Sequence, residues 1–487
     1  MHKSICIFGN YLRFMIYNSN NFFDQLQKSF PHTPTESQIS ALKMLSEYLF
    51  LNNKDSLFVL KGFAGTGKTT TISALVNSLW KINKQAVLIA PTGRAAKVMS
   101  NYAKKKAFTI HKKIYYPKKN KSGAIQFTLQ PNKYSNTIFI VDEASMIPDD
   151  SKNVLFDTSS LLNDLIQFID SGQNCKMIFI GDEAQLPPVK LEVSPALDVD
   201  KLEINYQKTV YEALLDEVVR QQKDSGILEN ATHLRALLNG DLYTDFKFHL
   251  DLNEVHKIQD GFDLQEKIQE SYDEYGIDNT TIIVRSNKRA NIYNEQIRNK
   301  IRGFVGDITV GDYIMVVKNN YYWLNASDET DFIANGDICE VMSIYKFKEL
   351  YGFKFAEVKI RMIDYDELPP FDTVLLLDTL TSDTASLSYE ESNKMYQEIS
   401  MDYAHIKTKY KKLQAIKNDK YYNALQVKFS YAVTCHKSQG GQWKSVFVEQ
   451  PYNASLEQAE FVRWLYTAVT RAEEKLYLIG FNDTFYE

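Results

Sequence analysis

Cysteine is scarce and scattered: Cys6, Cys175, Cys339 and Cys435 are the four in 487 residues, and no two form a C-x-x-C pair. Such spacing offers neither a disulfide framework nor a zinc site, and it fits a reducing compartment, the cytoplasm. No run of about 18 apolar residues occurs, so no membrane span is expected. Met1 to Asn18 carries an apolar patch, Ile5-Cys6-Ile7-Phe8, but no continuous hydrophobic region and no small-residue cleavage site. It reads as a loose tail and not a signal peptide, with Met15 as an alternative start. Repeats and low-complexity tracts are missing too. A surplus of positive charge is also lacking: the net charge of -5 excludes a globally basic nucleic-acid binder. The charge is nevertheless uneven. Lys104, Lys105, Lys106, Lys112, Lys113, Lys118, Lys119 and Lys121 lie in one stretch without an acid, and Lys407, Lys409, Lys411, Lys412, Lys417 and Lys420 form a second cluster. Each cluster reads equally as a solvated face or as a patch facing backbone phosphates.

What is present is a globular chain, 44% hydrophobic and 13% aromatic, long enough for about three domains. Short apolar runs ending in polar or glycine residues recur between helical stretches. Leu57–Leu60 leads into a glycine loop, Ala86–Ala90 ends at Pro91-Thr92, Ile138–Val141 at Asp142, and Met177–Ile180 at Gly181. Continuous apolar strands alternating with helices predict a parallel sheet covered on both faces, with ligand groups at the carboxyl ends of the strands. A second set (Thr281–Val284, Phe429–Val433, Val446–Val448 and Leu476–Ile479) predicts a second α/β domain. It is interrupted from about Val305 by β-like pieces and then by a polar helical stretch, Tyr389 to Tyr422, which read as a small barrel and a helical arm. Within the first domain, Ile114-Tyr115-Tyr116 and Ile125–Leu129 flank a turn-forming Lys-Lys-Asn-Lys-Ser-Gly segment, which predicts a hairpin.

The motifs carry phosphate chemistry. Gly62-Phe63-Ala64-Gly65-Thr66-Gly67-Lys68-Thr69 fits G-x-x-x-x-G-K-[ST] between a strand and a helix. Backbone N–H groups and the helix N-terminus suit phosphate oxygens. Lys68 is expected to neutralise the β- and γ-phosphates and Thr69 to ligate magnesium. Asp142 follows an apolar strand and is expected to hold Mg²⁺ through water, with Glu143 polarising the attacking water. Gln185, in Gly181-Asp182-Glu183-Ala184-Gln185-Leu186-Pro187-Pro188-Val189, is in place to meet the γ-phosphate or that water. Arg220 and Arg471 come later in the chain. A lone arginine reads as a surface ion pair, whereas one reaching across a cleft stabilises a transferring phosphoryl group. Only the family resemblance below favours that role for these two.

The ordered set resembles the superfamily 1B DNA helicases, the branch of RecD-like and Dda-like enzymes. It includes Thr35-Glu36-Ser37-Gln38, the glycine loop, Ala90–Ala96, Thr109-Ile110-His111, Asp142-Glu143, Gly181–Val189, Val219-Arg220-Gln221, Arg285–Lys288, Asn335-Gly336-Asp337, Thr434–Gly440 and Tyr466–Arg471. The resemblance covers roughly residues 30 to 482. It implies two RecA-like P-loop domains, 31–200 and 201–304 with 426–487, after a tail of 1–30. It also implies a hairpin insertion at 111–133 and an SH3-like barrel with helical arm at 305–425.

By position it makes Lys68, Glu143, Gln185, Arg220 and Arg471 catalytic. Gln38, Gly62 to Thr69, Thr70, Gln439 and Gly440 would hold ATP, with Thr69 and Asp142 for Mg²⁺. Pro91, Thr92, Thr109, His111, Asn287, Lys288, Thr434, His436 and Lys437 would line single-stranded DNA; His111 and His436 read equally as structural histidines. Tyr115, Tyr116 or Phe127 would form a strand-separating pin. The acids from Asp372 to Asp402 argue against DNA contact by that part of the insertion.

The expected activity is ATP-dependent unwinding by a cytoplasmic monomer acting on single strands and their junctions with duplex, in repair or recombination. The Gln-Leu-Pro-Pro-Val sequence resembles that of 5′→3′ enzymes. Two other readings stay open: an RNA helicase or RNP remodeller of the same superfamily, and an ATP-switched binding module without strand separation.

Overall fold

The computed structural model describes residues 18–119, 125–149, 160–219, 225–240, 246–251, 253–324, 333–365, 368–452 and 458–486, without the side chains of 117–119, 125–127 and 239. The first unit is built on β1 (Ser56–Gly62), β2 (Gln85–Ala90), β3 (Ala107–Thr109), β6 (Thr137–Val141), β7 (Lys176–Gly181) and β8 (Thr209–Leu215). These pair in the order β3-β2-β6-β7-β1-β8, parallel throughout. Alternate side chains serve opposite faces. Phe58 and Leu60 pack with Leu42, Leu45, Ile72 and Leu75 on one side, while Leu57 and Val59 pack with Leu162, Leu165 and Phe168 on the other. Burial on both faces explains why the strands read as unbroken apolar runs.

Between β3 and β6, a one-turn helix (Ile110–Ile114) leads into a two-stranded hairpin, β4 (Tyr115–Lys119) and β5 (Ile125–Leu129), with Tyr116 opposite Thr128.

The second unit joins β9 (Val255–Lys257), β10 (Thr280–Val284), β16 (Ala432–Thr434), β17 (Trp443–Glu449) and β18 (Ala472–Ile479) in the parallel order β16-β10-β17-β18-β9. Between β10 and β16 the chain closes a barrel from β11 (Tyr313–Val316), β12 (Ile338–Leu350), β13 (Phe353–Met362), β14 (Phe371–Leu376) and β15 (Leu425–Phe429). Helices Tyr389–Asp402 and Lys409–Lys417 form the arm, whose Met395, Ile399 and Ile416 pack on Phe353, Phe355 and Leu376 of the barrel. One hydrophobic cluster runs from Ile282 and Phe447 of the second sheet into Ile314, Val341, Val358 and Val427 of the barrel. A buried ion pair bridges the two. Arg298 donates from Nε and Nη2 to Asp312 at 2.9 Å each, and Tyr431 donates to the same carboxylate at 2.9 Å.

Three expected boundaries move. Helix Ser19–Lys28 belongs to the first core, with Phe22 and Leu26 fully buried, so the 1–30 tail does not extend past residue 18; residues 1–17 lie outside the described residues. Strand β8 pairs along its length with β1, which carries the first unit past residue 200 to Leu215. The single strand expected at Phe429–Val433 is two: Phe429 ends β15 in the barrel and Ala432 opens β16 in the sheet, so the barrel ends at 429 and not 425. Hydrophobicity is continuous across that junction because both elements are buried, and only hydrogen-bond partners distinguish them.

Candidate active site at the interdomain cleft

The glycine loop leaves β1 and enters helix Lys68–Ser78 through Gly67, whose φ of 83° is left-handed. A Cβ at Gly67 would lie 2.3 Å from Gln38 Nε2, so only glycine fits there. Gln38 is consumed locally: its Nε2 donates to the Thr66 carbonyl at 2.9 Å and its Oε1 accepts from Thr35 N at 3.0 Å, closing a capping box on helix Glu36–Phe50. It therefore braces the loop from behind. Lys68 Nζ donates to the carbonyls of Gly62 (2.7 Å) and Phe63 (2.9 Å), and Thr69 is exposed at the helix start. An ammonium whose hydrogen-bond partners among the described residues are neutral carbonyls, beside a helix N-terminus, fits a site for phosphate oxygens.

Asp142 and Glu143 follow β6. Asp142 accepts from Tyr102 Oη at 2.7 Å and from the Glu143 amide at 2.9 Å. Glu143 takes a left-handed φ of 51°, an uncommon backbone for a non-glycine residue and one found at functional sites. Burial pushes its carboxyl above the ordinary value, Arg471 and Lys68 pull it down, and Asp142 adds to the rise. Gln185 is buried, and its Oε1 has no hydrogen-bond partner among the described residues. A buried acceptor left open is costly, and a water or phosphate group here would satisfy it.

The second unit reaches this site through helix Ala459–Val469 and the turn after it. Arg471, 4% exposed, donates to the carbonyls of Thr467 (3.0 Å) and Gly441 (3.2 Å) and to Thr470 Oγ1 (3.3 Å). Among the described residues no carboxylate forms an ion pair with it, and its charge is felt by Glu143. Gln439 Nε2 donates to the Leu186 carbonyl at 2.7 Å, and Thr467 Oγ1 accepts from the Leu186 amide at 2.8 Å. Tyr466 Oη lies 2.9 Å from the Ala64 amide and 2.7 Å from Asp182 Oδ2. Gly440 sits so close that a Cβ there would meet Ala95 Cβ at 2.9 Å and Thr92 Oγ1 at 3.1 Å. Arg220 lies outside the described residues. The Val219 amide before it donates to the Gly65 carbonyl at 3.1 Å, so the segment leading to Arg220 starts from the first unit.

Along the other side of the cleft, Thr92 and Thr109 cap helices at the carboxyl ends of β2 and β3. Burial draws His111 down to about 4 and lowers His436 from its usual value, leaving both neutral at pH 7. Asn287 Nδ2 donates to the Asp383 carbonyl at 3.2 Å, with Lys288 next to it on helix Asn287–Gln296. Thr434 ends β16, and Lys437 Nζ, held by Asn335 Oδ1, is drawn to about 8 by desolvation, with Lys428 adding to the fall.

A family model described as an AAA domain matches residues 48–191, and one described as a UvrD-like helicase C-terminal domain matches 429–479. The two fall in that order on the two α/β units. The ATP-dependent DNA helicase dda of Enterobacteria phage T4 is 24% identical over 489 residues, covering 93% of this chain and 98% of its own. By these matches the chain is similar to the superfamily 1 helicases in both of its α/β units.

Within them it is RecD-like and Dda-like. The ATP-dependent RecD2 DNA helicase of Deinococcus radiodurans is 31% identical over 155 residues, 32% of this chain and 18% of that one. The uncharacterized protein R530 of Acanthamoeba polyphaga mimivirus is 25% identical over 91% of this chain and 98% of its own. Among solved structures, the Pif1 helicase of Candida albicans aligns with a TM-score of 0.46 at 16% identity, covering 93% of this chain and 95% of that one.

The hairpin separates its three aromatic candidates. Tyr115 is not available as a pin: it is 7% exposed and donates to Asp164 Oδ2 at 2.6 Å, anchoring the base of β4. Tyr116, on the opposite face of the strand, is 37% exposed. The Phe127 side chain lies outside the described residues. The structure also brings in residues that sequence reading passed over. Tyr102 holds Asp142, Arg463 donates to the Glu183 carbonyl, and Thr467 and Tyr466 bind the loops of the first unit. Tyr466 and Thr467 lay inside a quoted motif, but only the fold shows what their hydroxyls touch; Tyr102, in the last turn of helix Gly93–Ala103, gave no signal.

Proposed function

We propose that this chain is an ATP-dependent DNA helicase that moves 5′→3′ along single-stranded DNA and separates duplex at a junction. The carrying observation is the cleft itself. Lys68, Glu143 and Gln185 come from one α/β unit, and the buried Arg471, whose charge acts on Glu143, reaches it from the other. In this reading Lys68 exchanges its two carbonyl partners for phosphate oxygens, Glu143 and Gln185 orient the attacking water, and Arg471 stabilises charge on the transferring phosphoryl group. Thr69 and Asp142 would hold Mg²⁺, which supplies charge neutralisation at the phosphates. Hydrolysis then depends on closure of the two units, so each cycle alternates the grip of Thr92 and Thr109 with that of Thr434, His436 and Lys437 on the strand. Contacts through hydroxyls and a lysine suit phosphates of any sequence.

The 5′→3′ direction rests on the Gln185-Leu186-Pro187-Pro188-Val189 resemblance. A forked duplex with a single 5′ or 3′ tail tests the whole reading. Unwinding of the 5′-tailed substrate alone is expected. Unwinding of the 3′-tailed one alone overturns the direction, and ATPase stimulated by RNA but not DNA moves the substrate to RNA. ATPase indifferent to any nucleic acid overturns the motor.

A further inference from the structure

One of the contacts between the two units passes through a hydroxyl whose proton can point only one way. Tyr466, on helix Ala459–Val469 of the second unit, is 1% exposed. Its Oη lies 2.9 Å from the Ala64 amide of the phosphate loop and 2.7 Å from Asp182 Oδ2, a carboxylate with no exposure at all. The amide can only donate, so the phenol accepts from Ala64 and must give its single proton to Asp182. Burial and the Asp182 charge raise the phenol well above its usual value, which keeps that proton in place. Asp182 Oδ1 in turn accepts from the Ala184 amide at 3.0 Å, and the Asp182 carbonyl accepts from Gln185 N at 3.3 Å. A directed chain thus runs from the phosphate loop, through a side chain of the other unit, to the turn that carries Gln185. The next residue repeats the connection two positions on, since Thr467 Oγ1 holds the Leu186 amide.

We propose that Tyr466 is a positioning residue for ATP hydrolysis: its hydroxyl couples the placement of the second unit to the register of the Ala64 amide and of Gln185. The assignment rests on the cleft being the ATP site. A displacement of helix Ala459–Val469 would break both bonds together, freeing an amide of the phosphate loop and releasing the Asp182 turn. Tyr466 touches no reacting atom in this scheme; it acts through Ala64 and Asp182.

Tyr466→Phe removes one oxygen and keeps the ring. The expected result is affinity for a fluorescent ATP analogue within about twofold of wild type, with kcat of the DNA-stimulated ATPase down about tenfold, a factor typical of one lost interaction in a transition state. Combining it with Asp182→Asn should cost no more than the larger single effect, because both act on one chain. Unchanged kcat, a loss confined to KM and melting temperature, or effects that multiply in the double variant would each overturn the assignment. If Tyr466→Phe does not fold, Asp182→Asn, which weakens the same bond from the other end, carries the kcat measurement. Lys68→Ala separates the two levels. Retained hydrolysis in that variant overturns the site itself, whereas loss there with a wild-type Tyr466→Phe overturns only the role of Tyr466.

Discussion

The Arg94 guanidinium lies 4.0 Å from the centre of the Trp443 ring, and its Nη2 donates to the Gln442 carbonyl at 3.1 Å. Arg94 lies in the first turn of helix Gly93–Ala103 after β2 in the first unit, and Trp443 opens β17 in the second. Beside them, Gly441 is confined: a Cβ there would meet the Trp443 ring at 2.6 Å and Arg94 Nε at 2.9 Å. This clasp lies next to Thr92, which packs against Gly440, so the two units are joined there as well as at Tyr466. Arg94→Ala should lower DNA-stimulated kcat several-fold while DNA-free ATPase changes less, since cation–π contacts are worth about 0.5–2 kcal/mol. Steady-state ATPase with and without single-stranded DNA measures this; equal losses in both would show that the clasp does not serve strand binding.

Lys68→Ala should abolish ATPase and unwinding together. Its ammonium rests on the Gly62 and Phe63 carbonyls, and no other described lysine stands in the glycine loop. A coupled loss seen in parallel ATPase and strand-displacement assays is the expected outcome. Unwinding that survives would remove the loop from the mechanism.

Tyr116→Ala should reduce unwinding more than DNA-stimulated ATPase, because the exposed ring is free to stack on a terminal base pair, worth about 1–3 kcal/mol. Tyr115→Phe should instead lower the melting temperature, through loss of the 2.6 Å bond to Asp164. Reversal of these two phenotypes would make Tyr115 the pin and Tyr116 the anchor.

With Lys437 on the strand, as proposed, binding of single-stranded DNA should depend on pH. Desolvation draws its ammonium down to about 8 in the free protein, whereas a phosphate partner would stabilise the charged form. Below pH 8 the charge is present, and as pH rises through 8 the free protein loses it, so affinity for single-stranded DNA should fall between pH 7 and 9. Lys437→Arg, charged throughout, should flatten that profile. Fluorescence anisotropy at fixed ionic strength reads it, and an equal slope in both proteins would place Lys437 off the strand.

Breaking the Arg298–Asp312 pair should unfold the second unit first. Arg298→Ala leaves a fully buried carboxylate whose remaining donors are the Tyr431 hydroxyl and the Thr309 amide; losing one partner of a buried pair costs about 3–5 kcal/mol. Denaturant unfolding should show the loss, and a change below about 1 kcal/mol would mean that water reaches Asp312.

Much of this site was legible because phosphate chemistry is local. Glycines at fixed spacing, a lysine at a helix start and carboxylates at a strand end must be adjacent in sequence to do their work, so Lys68, Asp142 and Glu143 stood out before any fold was known. The paired strands were legible because burial on both faces writes continuous apolar runs. The run from Phe429 to Val433 misled for the same reason: it is buried throughout, yet half belongs to a barrel and half to a sheet. β8 was overlooked because its pattern, TVYEALL, is half exposed at the sheet edge.

The sequence by itself determined the parallel sheets, the glycine loop, the carboxylate pair and the order of motifs, since each depends on residues a few positions apart. Only the tertiary structure decided which hydroxyls cross between the units, that Tyr115 is an anchor, and that Gln38 braces the loop through Thr66. Those facts depend on distance between residues up to about 400 positions apart in the chain, such as Ala64 and Tyr466. Hydrogen bonds of 2.7–2.9 Å at such separations are set by how two sheets pack, which no local pattern encodes.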